Sequence, residues 1–282
     1  MITPYRKNSA LKAMKITLIQ LNTGGDKAAN LKQIETLVED AVAQDRPDLV
    51  ALPEVITYLG ENRENRRAAA ETLPDGEGYR LLQGLASKHG IYLHGGSLIE
   101  KADGERLYNT TVAFGPDGTE LARYRKIHLF DVTTPDGKEY RESNTFGRGE
   151  NIVTYDADGI SIGCSICYDL RFPELYQALA KKGAQVIMVP SAFTLMTGKD
   201  HWEVLLRARA IETQCYVIAP GQWGRYAEDA SRVSYGHSLV VDPWGHVIAQ
   251  AHDKVGFVTA TLDMAYLDSI RAKIPVAQHK VL

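Results

Sequence analysis

At 282 residues the chain has room for one large domain or two small ones. With 32 basic against 35 acidic residues its formal charge is −3, which gives no electrostatic basis for binding nucleic acid or an anionic membrane, and no apolar run approaches the ~20 residues that cross a bilayer. Three cysteines, Cys164, Cys167 and Cys215, are too few for a disulfide scaffold. That predicts a reducing cytoplasm, where a thiol stays available as a nucleophile.

Residues 1–13 carry three basic side chains but no apolar core of a signal peptide, and read as a polar extension. The first strand is predicted over 14–21. A helix over 28–43 follows, with Leu31, Ile34, Leu37, Val38 and Val42 spaced for one buried face. Pro47 stops it, and 48–52 is a short, wholly apolar strand suited to a sheet interior, ending at Pro53-Glu54. Polar 63–72 reads as an outer helix and 78–89 as an amphipathic one. Strands are expected over 91–99, 107–114 and 120–124, the last entered through the turn Pro116-Asp117-Gly118. Residues 125–149 read as a long irregular loop, a length usually tied to function. A hairpin around Asp158-Gly159 joins strands 152–155 and 160–166. Helix 171–182, strand 186–189, helix 201–213 and strand 215–219 come next, then a meander of strands at 238–241, 246–249 and 256–261, and a last helix over 264–272. With no repeat, low-complexity tract or linker, 14–282 reads as one α/β domain with mixed sheets.

Three reactive side chains each follow a predicted buried strand. Glu54 follows 48–52, Lys126 follows 120–124, and Cys167 follows 160–166. Ligand sites in α/β sheets gather beyond the carboxyl ends of strands, so the three can converge on one cleft. A cysteine at a strand-to-helix turn has its thiolate favoured by the helix N-terminus and a nearby ammonium. A carboxylate in a poorly solvated cleft can take the thiol proton and return it to a leaving amine. An ammonium, together with the backbone N–H of Tyr168, can hold the oxyanion of a tetrahedral intermediate. This is acyl-transfer chemistry without a histidine, and it requires no metal or organic cofactor. Arg171 is a candidate partner for a substrate carboxylate, or equally a structural ion pair with Glu174 or Asp169. His128 and His201 either line the cleft or serve as hydrogen-bonded structural histidines. Cys164 has the C-x-x-C spacing to Cys167 but lies inside a strand pattern, unlike a redox pair opening a helix.

The strings Leu52-Pro53-Glu54, Tyr124-Arg125-Lys126-Ile127-His128-Leu129-Phe130-Asp131 and Cys167-Tyr168-Asp169-Leu170-Arg171-Phe172-Pro173-Glu174 occur in the order and rough separation seen in the nitrilase superfamily of carbon–nitrogen hydrolases. The resemblance runs from Met14 to the C-terminus. It implies a four-layer α-β-β-α sandwich with two mixed sheets. It also implies a catalytic Glu54, Lys126 and Cys167, and a second glutamate, Glu142, that positions substrate and lysine. Within the superfamily the sequence is similar to the deaminated glutathione amidase branch, through the stretches 190–193, 197–203, 207–216 and 234–245. Several of these are shared with ω-amidases acting on 2-oxoglutaramate. Phe193 and His201 in these stretches, and Thr194 next to the first, are the implied substrate-contacting side chains beside Tyr168 and Arg171. Lys199-Asp200 departs from the Pro-Ala usual there. The resemblance further implies a small-molecule amide substrate and a homodimer or dimer of dimers formed through helices 171–182 and 201–213. The alternatives are a nitrile hydrolase and a non-catalytic regulatory protein on the same fold.

Overall fold

The computed structural model describes residues 13–60, 62–102, 106–226 and 232–281. Of the expected polar extension, 1–12 lie outside these residues, while Ala13 already opens the first strand. Strand β1 (Ala13–Gln20), helix α1 (Lys27–Asp45) and strand β2 (Leu49–Ala51) are followed by α2 (Arg63–Ala69), α3 (Glu77–His89) and β3 (Tyr92–His94). The three strands are parallel neighbours. Leu49 and Ala51 point into one core and Val50 into another, so β2 must be apolar throughout. Helix α1 starts where the Asp26 carboxylate accepts from the Ala29 N–H at 3.1 Å. It ends on Arg46 in the left-handed region, just before Pro47. Its Ile34, Val38 and Ala41 pack with Tyr79, Leu82 and Leu85 of α3 over the outer side of the sheet.

The expected strand over 91–99 is two strands, β3 and β4 (Leu98–Lys101), parted at Gly95-Gly96. Gly96 has φ +61°, and a Cβ there would lie 1.9 Å from the Pro53 carbonyl. The chain therefore leaves the sheet to pass close beside the segment carrying Glu54. Strands β5 (Leu107–Phe114) and β6 (Glu120–Arg125) continue the sheet antiparallel. The stretch expected to be irregular contains a small ribbon, β7 (Asp131–Thr133) with β8 (Glu139–Arg141), and a short strand β9 (Phe146–Gly147) on the edge of β5.

The second sheet starts with β10 (Thr154–Ala157) and β11 (Ile160–Cys164), joined through Asp158 and Gly159, both at positive φ as a tight hairpin requires. Helix α4 (Pro173–Lys181), β12 (Val186–Met188), α5 (Leu195–Thr213) and β13 (Tyr216–Ala219) follow. Helix α5 starts six residues before the expected 201, capped by the Thr194 hydroxyl. A second ribbon, β14 (Trp223–Tyr226) with β15 (Arg232–Tyr235), precedes β16 (Leu239–Val241), β17 (Val247–Gln250), β18 (Gly256–Asp263), α6 (Met264–Lys273) and α7 (Val276–His279). Strand β18 returns to pair along all of β1. The first sheet has the order β18-β1-β2-β3-β5-β4, with β6 and β9 also on β5, and the second runs β10-β11-β12-β13-β16-β17. Both mix parallel and antiparallel pairs. They face one another across a core of Ile16, Leu18, Leu49 and Ala51 against Ile162, Val186 and Met188. Helices α1 and α3 cover one outer side and α4 and α5 the other, giving the four-layer α-β-β-α sandwich. Among the described residues no helix is long and apolar enough to cross a membrane.

Candidate active site

Each of the three expected residues follows the end of a sheet strand, β2 and β6 in the first sheet and β11 in the second. Past β2, Leu52 N–H donates to the His94 carbonyl at 3.0 Å, and the Pro53 carbonyl accepts from Ser97 N–H at 3.2 Å. Gln222 Nε2 donates to the Glu54 carbonyl at 2.9 Å. The next residue, Val55, sits at φ 56°, a costly conformation for a β-branched side chain. Past β6, Lys126 N–H donates to the Asn109 carbonyl at 2.9 Å, and the Lys126 carbonyl accepts from Gly149 N–H at 2.7 Å. A side chain at Gly149 would collide with the Arg125 carbonyl at 2.1 Å. Past β11, Cys167 N–H donates to the Pro190 carbonyl at 2.9 Å, with Cys167 at φ 49°. Such non-glycine strain costs of order 1–3 kcal/mol and persists only where the surroundings enforce it.

Together these placements bring four groups into one buried cluster. Lys126 Nζ donates to Glu54 Oε1 at 2.9 Å and to Glu142 Oε2 at 2.9 Å. Asn109 Nδ2 donates to the same two carboxylates, at 2.9 Å to Glu54 Oε1 and 3.2 Å to Glu142 Oε1. Glu54 Oε2 accepts from Ala192 N–H at 2.8 Å, and Glu142 Oε2 accepts from Phe130 N–H at 2.6 Å. Burial by itself would drive the Lys126 ammonium to lose its proton, but Glu142, Glu54 and Cys167 together hold its pKa well above the usual lysine value. At Cys167 burial is the largest influence and pushes the thiol well up, with the Glu54 charge adding to it; the Lys126 ammonium opposes both without prevailing. Burial and the Glu54 charge thus favour the thiol, hydrogen-bonded to Glu54, against the thiolate that the Lys126 ammonium favours. The local structure agrees, because a short 3-10 turn, Cys167–Arg171, separates the cysteine from α4. A thiol, an adjacent carboxylate acceptor and a fixed cation make up the equipment for nucleophilic attack with the proton removed as the bond forms.

These groups form the floor of a cavity of about 350 Å³. Glu54, Lys126, Glu142, Cys167, Tyr168, Phe193 and Thr194 all line it. Arg171 and His201 do not. Arg171 Nη2 meets His201 Nδ1 at 3.3 Å beside the Phe193 ring, and it pairs with neither Glu174 nor Asp169. His128 also lies away from the cavity, with Nδ1 2.7 Å from Asp169 Oδ1. The outer wall comes from Tyr140 on β8, inside the stretch 125–149 whose length pointed to function, and from Tyr226 on β14 and Arg232 on β15, which the sequence did not single out. The Arg232 guanidinium lies 4.1 Å from the centre of the Tyr140 ring, and its Nη2 donates to the Glu139 carbonyl at 3.2 Å. Asn109 was missed as well. Its one sequence signal is a polar, strand-averse residue inside the otherwise strand-like run 107–114. Among the described residues no group of three or more His, Cys, Asp or Glu is arranged to hold a metal ion.

The family model for carbon-nitrogen hydrolase matches residues 15–272. A protein of Synechocystis named deaminated glutathione amidase is 41% identical over 275 residues, covering 96% of this chain and 99% of its own length. The omega-amidase NIT2 of Danio rerio is 40% identical over 273 residues, covering 96% of this chain and 95% of its own. The crystal structure of Saccharomyces cerevisiae Nit3, described as a member of branch 10 of the nitrilase superfamily, superposes with a TM-score of 0.86 at 34% identity, over 96% of this chain and 98% of that one. The strand-end motifs, the sandwich and these full-length similarities agree: the chain belongs to the carbon-nitrogen hydrolase family of the nitrilase superfamily, and is a hydrolase of carbon–nitrogen bonds other than peptide bonds.

Proposed function

We propose that the chain is an amidase that opens a small amide through a thioester on Cys167, with Glu54 as base, Lys126 as oxyanion partner and Glu142 as the anchor of Lys126. The observation that carries this is the single cavity floor on which Cys167 meets Glu54 while the Lys126 ammonium is shared between Glu54 and Glu142. Glu54 takes the thiol proton as the sulfur–carbon bond forms at the amide carbonyl. Lys126 and the Tyr168 N–H hold the resulting oxyanion. Collapse of the intermediate breaks the carbon–nitrogen bond, and the amine leaves with the proton from Glu54. Water then attacks the thioester, giving its proton to Glu54, and the acid departs as the thiol is restored. Phe193 and Thr194 flank the acyl group; Arg171, paired with His201, lies outside the cavity lining.

The favoured substrate is deaminated glutathione, split to 2-oxoglutarate and cysteinylglycine, supported by the Synechocystis amidase. The similarity to an omega-amidase is nearly as high, which favours 2-oxoglutaramate as the second reading. The test is release of 2-oxoglutarate from deaminated glutathione, with 2-oxoglutaramate and a simple nitrile in parallel, for wild type and Cys167→Ala. Preferred turnover of deaminated glutathione, lost in the variant, supports the reading. Turnover of another substrate alone moves the substrate assignment and keeps the chemistry. Silence on all three overturns it.

The functional unit is one domain over 14–282 in a homodimer or dimer of dimers in the cytoplasm. Helix α5 presents Val204 at 67% and Ile211 at 51% exposure, beside exposed Trp244 and Ile248, as an apolar stripe for a second copy. Three free buried thiols suit a reducing compartment. Light scattering on the purified chain checks the assembly, and a monomer at micromolar concentration refutes it.

A further inference from the structure

Asp169, two residues after the nucleophile, is fully buried and lies outside the cavity lining. Its Oδ2 accepts from Ile166 N–H at 2.9 Å and from the Tyr124 hydroxyl at 2.7 Å. Its Oδ1 accepts from His128 N–H at 3.0 Å and faces His128 Nδ1 at 2.7 Å. A carboxylate only accepts, so Nδ1 carries the proton in that contact. Tyr124 and His128 stand two residues before and two after Lys126, and Ile166 directly precedes Cys167. One carboxylate therefore ties the end of β6, on the first sheet, to the nucleophile turn on the second.

Much of the interface between the sheets is apolar, which favours contact but does not fix a position along it. Polar contacts cross it elsewhere, as at His94–Tyr155 and Ala192–Glu54, but Asp169 joins the residues that flank Lys126 to the one that precedes Cys167. Charge-assisted hydrogen bonds are short and directional, and four on one buried group leave it little freedom. The His128 ring is held flat on Phe172, centroids 3.7 Å apart and planes 7° apart, so its end of the clamp is rigid too. The Ile166 bond also pins the residue leading into the strained φ of Cys167.

We propose that Asp169 is a positioning residue for the reaction described above, setting the placement of the Lys126 ammonium relative to the Cys167 sulfur across the two sheets. The inference rests on that reading of the reaction. Asp169 touches no reacting atom; it acts through the residues flanking Lys126 and the one preceding Cys167.

The test uses Asp169→Asn, Tyr124→Phe, His128→Gln and His128→Asn in the full chain, with kcat and KM on the turned-over amide and the iodoacetamide alkylation rate of Cys167. Asp169→Asn should lower kcat about 100-fold, the scale of an ångström-sized misplacement, with KM within about twofold. Tyr124→Phe and His128→Gln each remove one side-chain donor and should lower kcat about tenfold. His128→Asn should recover most of the loss, because its amide nitrogen occupies the place of Nδ1, which the glutamine nitrogen does not. Alkylation should follow the same order. If folded Tyr124→Phe and His128→Gln keep wild-type kcat and alkylation, or if His128→Asn behaves like His128→Gln, the proposal is overturned even should Asp169→Asn fail to fold. Alkylation needs no substrate, so rates that fall in this order in a chain inert toward every amide support the clamp while the hydrolase reading fails.

Discussion

The cavity floor consists of Cys167 with Glu54, Asn109, Lys126 and Glu142, buried or nearly so, and each of the two carboxylates accepts from both Lys126 and Asn109. The outer wall consists of Tyr140, Tyr226 and Arg232, carried on the two ribbons β7–β8 and β14–β15, which belong to neither main sheet. Charges on the floor are fixed by directional bonds at the ends of sheet strands. The wall is held by the Arg232 guanidinium over the Tyr140 ring, by a bond between the Tyr140 and Tyr226 hydroxyls and by a bond to the Glu139 carbonyl, all on segments outside the main sheets. The difference separates two tasks. A reaction needs its charged groups held within fractions of an ångström, whereas selecting a substrate needs surfaces that can vary from one relative to the next without disturbing the chemistry.

Substitutions can break this division or sharpen it. The largest effect is expected at the sulfur: Cys167→Ala should lower kcat by at least about 10⁴-fold, measured as product release, while the melting temperature changes little. Lys126→Met should come next. It removes the one cation between two carboxylates, so chemical denaturation should show a loss of about 3–5 kcal/mol, with kcat down about 10³-fold. A variant of wild-type stability would mean that one carboxylate takes up a proton and the floor is less charged than its geometry implies. Glu142→Gln keeps the shape and removes one charge, so kcat should drop about 10–100-fold with KM nearly constant. At the wall, Tyr140→Phe removes only a hydroxyl and should raise KM about threefold to tenfold with kcat unchanged. A kcat loss there as large as that of Glu142→Gln would dissolve the distinction between floor and wall.

Much of the floor was legible in the sequence because Glu54, Lys126 and Cys167 each follow a strand whose periodicity is visible on its own. Val50 and its neighbours must be apolar on both faces, and Glu54 stands where that run stops. Cys167 follows a similarly apolar run, Lys126 follows the alternating strand Glu120–Arg125, and the motifs around all three gave the family. Asn109 was not legible, because its role depends on two carboxylates that are 55 residues before it and 33 after it. The ribbons were not legible either. Trp223 N–H is fixed by the Leu21 carbonyl at 2.7 Å, and Tyr235 N–H by the Phe193 carbonyl at 2.8 Å, partners that no local pattern encodes. The expected strand over 91–99 failed for a related reason: Gly96 is spent on a close passage beside Pro53, which overrides the strand propensity of its neighbours.

The amino-acid sequence by itself determined the alternation of strands and helices, the strand ends that carry Glu54, Lys126 and Cys167, and the family, because hydrophobic periodicity and short motifs are local properties. The tertiary structure decided the burial of Cys167 beside Glu54, the sharing of Lys126 between two glutamates, and the pairing of Arg171 with His201 outside the cavity. Each of these depends on how deeply a group is buried and which charges face it, and both are fixed only when distant segments pack together.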